Sequence, residues 1–79
     1  MNYDYRKLKG RIVEIYGTQK AFASAMGWSE RTLSLKINGE RYWKQPDISK
    51  ACTLLKIQGE DVEIFFFSQM FNNIEQKAG

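Results

Sequence analysis

The sequence has 79 residues, 43% of them hydrophobic and 14% aromatic, with a formal net charge of +3; this is the composition of one folded domain rather than a disordered chain. It contains no histidine and one cysteine, Cys52, which excludes an internal disulfide, the usual zinc sites and the commonest general base. Its longest fully apolar run, Ile64 to Phe67, falls far short of the roughly 20 residues of a membrane span; with no charged-then-apolar leader, the expected location is the cytoplasm.

A first helix is predicted over residues 3–16. Tyr5, Leu8, Ile12, Ile15 and Tyr16 recur at three- and four-residue spacing as one apolar stripe, while Arg6, Lys7, Lys9 and Arg11 occupy the other faces. Gly10 breaks this pattern at a cost of about 1 kcal/mol relative to alanine; either another backbone approaches there or the helix begins later. Gly17 is placed to end the helix with a positive φ.

Thr18 then caps a short second helix, 19–26, with Phe22, Ala23 and Met26 facing inward. Gly27 breaks it, and Ser29 caps a third, 30–38, in which Leu33 and Ile37 face the core and the Lys36 stem covers the core edge with its amine in water. Asn38-Gly39 marks a stop, followed by a charged and aromatic loop over 39–45. Pro46 suits the first position of a fourth helix, 46–56, with Ile48, Ala51, Cys52, Leu54 and Leu55 as its buried face. Cys52 reads as a small buried hydrophobe. Gly59 precedes a fifth helix at about 60–67, containing Val62, Ile64 and Phe66. Residues 3–68 form the core and 69–79 a tail whose last residues, 72–79, are polar and expected to fray. The expected fold class is all-α: a single compact domain of five helices.

Little here suggests an enzyme. Glu60, Asp61 and Glu63 read as a solvated cluster at a helix start. There is no phosphate-cradling glycine loop and no dinucleotide fingerprint, so no cofactor, metal or small-molecule substrate is expected. The charge is uneven, however. Residues 1–44 carry nine Lys/Arg against four Asp/Glu, and residues 45–79 carry three against five. A basic front half suits a protein that turns one side to a polyanion, whether DNA, RNA or anionic lipid.

The informative stretch is Gln19 to Gly39, QKAFASAMGWSERTLSLKING. Two helices meet at Gly27, and Ala23 stands four residues earlier, where a crossing helix demands a small side chain. With GTQKAFA, GWSERTLSLKINGE, Trp43 and the late D-V-x-x-F-F-F (Asp61 to Phe67), the chain resembles the phage repressor and Cro-type helix-turn-helix family, the xenobiotic-response-element-like group, over about residues 3–68. The resemblance implies a five-helix, lambda-repressor-like DNA-binding domain that binds double-stranded operator DNA as a homodimer and regulates transcription. The short chain favours a Cro-like protein over a repressor with a self-cleaving domain. It also implies that Gln19 meets a phosphate, that Ser29, Glu30 and Arg31 open the recognition helix in the major groove with Ser34 and Leu35 one turn on, and that Asn38 meets a phosphate.

Helical geometry agrees, because Arg31, Ser34, Leu35 and Asn38 fan over the face opposite Leu33 and Ile37. On this reading Arg31 forks onto guanine, Glu30 accepts from cytosine or holds Arg31, and Leu35 either touches a thymine methyl or packs on the loop at 41–44. Thr18, Lys20, Arg41, Tyr42 and Lys44 join the candidate phosphate contacts. Trp43 reads as a plug under its loop. Phe65, Phe66 and Phe67 cannot all face one core, and Phe65 and Phe67 are the candidate dimer surface. The operator would be two-fold symmetric, with half-sites about 34 Å apart. The alternative is a protein-interaction module on the same fold, an antitoxin-like or anti-repressor partner, using the late aromatic cluster.

Overall fold

A computed structural model of the chain describes residues 3–68. All regular elements among the described residues are helical: α1 (Arg6–Tyr16), α2 (Gln19–Met26), α3 (Glu30–Ile37), α4 (Gln45–Leu55), a 3-10 turn (Gly59–Asp61) and α5 (Val62–Phe66). The expected tail at 69–79 lies outside the described residues.

The all-α reading of the sequence holds, with boundaries that shift for identifiable reasons. α1 begins at Arg6 rather than at residue 3, because Tyr5 sits at its cap and the Asp4 N–H bonds instead to the Ser68 carbonyl at 2.7 Å. The start of the chain is thus tied to the end of α5. Thr18 and Ser29 cap as expected: each side-chain oxygen accepts from the backbone N–H three residues on, both at 3.1 Å. α4 starts one residue earlier than predicted, at Gln45. The Asp47 carboxylate reaches back to the Lys44 N–H at 3.4 Å, and Pro46 falls in the first turn. The predicted fifth helix is split into a 3-10 turn and a five-residue α5.

Among the described residues twelve apolar side chains form the core, from Tyr5 at the start of α1 and Leu8 and Ile12 within it to Leu55, Ile57 and Phe66. Burying one such large side chain is worth about 1.5–3 kcal/mol. Ala23 is 1% exposed, as the crossing of α2 and α3 requires. Gly27 adopts the left-handed conformation, φ 86° and ψ 22°, and lets the Trp28 N–H close on the Ala23 carbonyl at 2.8 Å. The α1 stripe is narrower than predicted, since Ile15 is only partly covered. Cys52, Ile48 and Leu54 are half-buried at the core edge rather than within it, and burial pushes the Cys52 thiol pKa up. No helix among the described residues is long and apolar enough to cross a membrane.

Trp43 plugs the space beneath its loop. Its ring meets Phe66 at 5.0 Å, Trp28 at 5.5 Å and Tyr5 at 6.4 Å between centroids. One aromatic therefore ties α1, the helix-turn-helix and α5 together. Among the described residues its buried indole N–H has no acceptor.

The helix-turn-helix face and its relatives

The α2–α3 pair presents an open groove lined by Gln19, Glu30, Arg31, Ser34, Leu35, Asn38 and Glu40. Six of these seven were expected from the sequence. They converge because Glu30, Arg31, Ser34 and Leu35 share the outward face of α3 while Leu33 and Ile37 are buried behind it. Gln19 enters from the start of α2. Glu30, Arg31, Asn38 and Glu40 are exposed, whereas Ser34 and Leu35 are half-buried.

Glu40 is the residue that sequence reasoning passed over. Its N–H donates to the Leu35 carbonyl at 2.8 Å, and the Arg41 N–H shares that acceptor at 3.2 Å. This turn folds the chain back so that Glu40 closes the groove. The only sequence signal was its place after Asn38-Gly39, where a reversal is expected. The lining thus includes two carboxylates, Glu30 and Glu40, and one guanidinium, Arg31.

The remaining candidate residues fall elsewhere. Ser29 is engaged in its own helix: its hydroxyl accepts from the Thr32 N–H and donates to Thr32 Oγ1 at 3.0 Å. The Asn38 amide donates to Ser34 Oγ at 3.5 Å. Thr18 and Lys20 are exposed at the start of α2; Arg41, Tyr42 and Lys44 are exposed along the loop, outside the groove. Tyr42 is 84% exposed. Leu35 lines the groove with its side chain while its carbonyl anchors the loop.

The expectation for Lys36 is corrected. Its side chain is buried, and its Nζ donates to the Tyr42 carbonyl at 2.9 Å instead of reaching water. Trp28 lies under the ammonium at 4.9 Å and Asp47 stands 3.6 Å away. In α5 Phe66 is buried, as one of the three phenylalanines had to be. Phe65 is half-buried under the Arg11 guanidinium, 5.2 Å from its ring centroid. Phe67 is 42% exposed and meets Tyr3 edge-on at 5.6 Å. Ile64, predicted among the apolar residues of the last helix, is 45% exposed. No group of three or more potential metal-ligating side chains occurs among the described residues.

The family described as "Protein of unknown function (DUF739)" matches residues 1–69. The chain belongs to that family. Among solved structures, the chain is similar to the modulator of repression (MOR) of the temperate bacteriophage TP901-1 from Lactococcus lactis. The identity is 49%, over 85% of this chain and 90% of that one, with a TM-score of 0.75. No curated protein matches the sequence. The five-helix arrangement described above is therefore the arrangement of a known phage regulator.

Proposed function

We propose that this DUF739 chain is a phage regulator that modulates repression by binding a repressor protein. The observation that carries this reading is the similarity, at 49% identity across most of both chains, to a phage modulator of repression. The chemistry of the groove supports it. A face that tracks phosphates is normally cationic, yet this one is lined by Glu30 and Glu40 as well as Arg31. A mixed-charge face of this kind suits a protein surface, where opposite charges can be matched one by one. The aromatic end, with Ile64 and Phe67 exposed, supplies apolar area of the sort that partner-binding surfaces use.

Direct reading of operator DNA is the second reading. It is favoured by the intact helix-turn-helix, with Arg31 exposed at the start of α3 and the cations Lys20, Arg41 and Lys44 exposed at the start of α2 and along the loop. The Cro-like assignment and the base contacts of Glu30, Arg31, Ser34 and Leu35 belong to this reading.

The test is calorimetry and gel filtration of the purified chain with the repressor encoded in the same phage genome, alongside selection from random duplex DNA. A stoichiometric complex that changes the repressor's operator occupancy, with no sequence enriched by the chain alone, supports the proposal. An enriched inverted repeat together with no repressor complex would overturn it in favour of operator reading.

A further inference from the structure

Glu30 and Glu40 reach the groove for different reasons. Glu30 stands in the first turn of α3, where a carboxylate complements the partial positive charge of the helix start. Glu40 lies between α3 and α4, away from any helix start. The ion pairs among the described residues join Arg6 to Asp4, Arg11 to Glu14 and Lys36 to Asp47, so Glu30, Arg31 and Glu40 all line the groove without one.

The backbone around Glu40 is held at four successive residues. The Gly39 N–H donates to the Lys36 carbonyl at 3.2 Å. The Glu40 and Arg41 N–H groups share the Leu35 carbonyl at 2.8 and 3.2 Å, and the Tyr42 carbonyl accepts from Lys36 Nζ at 2.9 Å. Gly39, at φ 81°, makes the reversal. Each of these bonds ends on Leu35 or Lys36, so the segment that carries Glu40 is fixed to the last turns of α3.

This placement sets the sign of the face. The groove lining holds one cation against two carboxylates, and the exposed cations Lys20, Arg41 and Lys44 lie outside it. Duplex DNA laid on α3 would bring its phosphates to a lining that is formally negative, and the tied loop cannot relieve the repulsion by withdrawing. A protein surface that carries a cation meets the same carboxylates as an attraction.

We infer that Glu40 is a specificity-determining residue, which bars duplex DNA from the α3 face and keeps the groove for a protein surface with a cation to pair with it. The helix-turn-helix is then retained as a scaffold and closed as a DNA reader by a carboxylate that follows it. The inference rests on the repressor-binding reading for the identity of that protein, though not for the exclusion of DNA.

Binding of the full chain to labelled random-sequence duplex DNA, followed by fluorescence anisotropy at about 50 mM and about 200 mM salt, tests it. Glu40→Gln should bind at least about fivefold tighter than the parent at the lower salt, with a smaller gain at the higher. Glu60→Gln removes the same charge from the 3-10 turn, outside the groove, and should change the affinity by less than about twofold. In calorimetry Glu40→Gln should also weaken the complex with the repressor by at least about threefold. Both side chains are exposed, so thermal melts of the variants should match the parent's. No gain in DNA affinity with Glu40→Gln, or one equalled by Glu60→Gln, would overturn the inference. So would a gain confined to Glu40→Lys, which adds a cation instead of only removing a barrier, or a repressor complex as tight with Glu40→Gln as with the parent. A parent chain that forms no repressor complex would sink the repressor-binding reading instead, while the DNA comparison still decides whether Glu40 excludes DNA.

Discussion

The ammonium of Lys36 donates to the backbone carbonyl of Tyr42 at 2.9 Å, from a side chain that is 7% exposed. This bond crosses from the last turn of α3 to the loop that carries Arg41, Tyr42 and Lys44. The same ammonium is 3.6 Å from the Asp47 carboxylate in the first turn of α4 and 4.9 Å from the Trp28 ring centroid. One buried cation thus fixes the loop against both helices. A buried charge is tolerated only when it is paired and hydrogen-bonded, and these three partners meet that condition.

Lys36→Met keeps most of the stem and deletes the charge. The Tyr42 carbonyl then loses its donor and Asp47 its cation, while the loss of a buried charge offsets part of that. A destabilisation of about 1–3 kcal/mol is expected. Urea denaturation followed by tryptophan fluorescence measures it. Because the loop is released, the loop amides should also exchange hydrogen faster than in the parent, whereas those of α1 should not. A stability unchanged within experimental error would show that the ammonium contributes nothing net.

The two side-chain caps of the helix-turn-helix make a second prediction. Thr18→Ala removes the acceptor for the Ala21 N–H, and Ser29→Ala that for the Thr32 N–H, both bonds being 3.1 Å. Each substitution should lower stability by about 1 kcal/mol. Ser29→Ala should cost slightly more, because the hydroxyl also donates to Thr32 Oγ1. The caps share no partner, so the double variant should be additive within about 0.5 kcal/mol by chemical denaturation.

These caps were legible in the sequence because capping is local: a hydroxyl residue before an apolar periodic run, with glycine at the previous helix end, fixes the turn without reference to the rest of the chain. The same locality made Ala23 and Gly27 readable, and with them the groove on α3. Lys36 was not readable. Its spacing showed a residue at the core edge, but its destination is a carbonyl six residues on, and that depends on the path of the loop. Glu40 was missed for the same reason, since the turn after Asn38 decides which side of the groove it closes. The three successive phenylalanines could be partitioned only by tertiary packing. Trp43 and Arg11 take up Phe66 and Phe65 respectively, and Phe67 is left at the edge beside Tyr3.

Asp4 gives a pH-dependent prediction. Its carboxylate accepts from the Arg6 side chain, the shortest bond being 2.7 Å, and from the Arg6 N–H at 2.9 Å. These bonds, with the Arg6 side chain contributing most, hold its pKa down at about 2, against an ordinary 3.8. A carboxyl whose folded pKa is depressed stabilises the fold above its unfolded pKa, and that stabilisation is lost as pH falls from about 3.8 through about 2. Asp4→Asn should therefore be less stable than the parent at neutral pH, with the gap closing across that acid window. Thermal melts at a series of pH values check it. A gap that stays constant down to pH 2 would mean that the charge on Asp4 plays no part.

The last prediction contrasts the two left-handed residues that end α2 and α4. Gly27 has φ 86° and Lys56 has φ 57°. Both let the next N–H turn back on the helix: Trp28 to the Ala23 carbonyl at 2.8 Å, and Ile57 to the Cys52 carbonyl at 2.9 Å, which delivers Ile57 to the core. The backbone demand is the same, but only one position has the residue suited to it. An L side chain in this region is strained by roughly 1–2 kcal/mol, while glycine returns part of the gain through a freer unfolded chain. Gly27→Ala should accordingly destabilise by about 1 kcal/mol, although open space surrounds the new methyl. Lys56→Gly should stabilise by about 0.5–1 kcal/mol, since the exposed Lys56 side chain covers nothing in the core. Opposite signs in a pair of denaturation curves would place the effect in the backbone. If both variants lost stability, Lys56 would have to hold the end of α4 through its side chain.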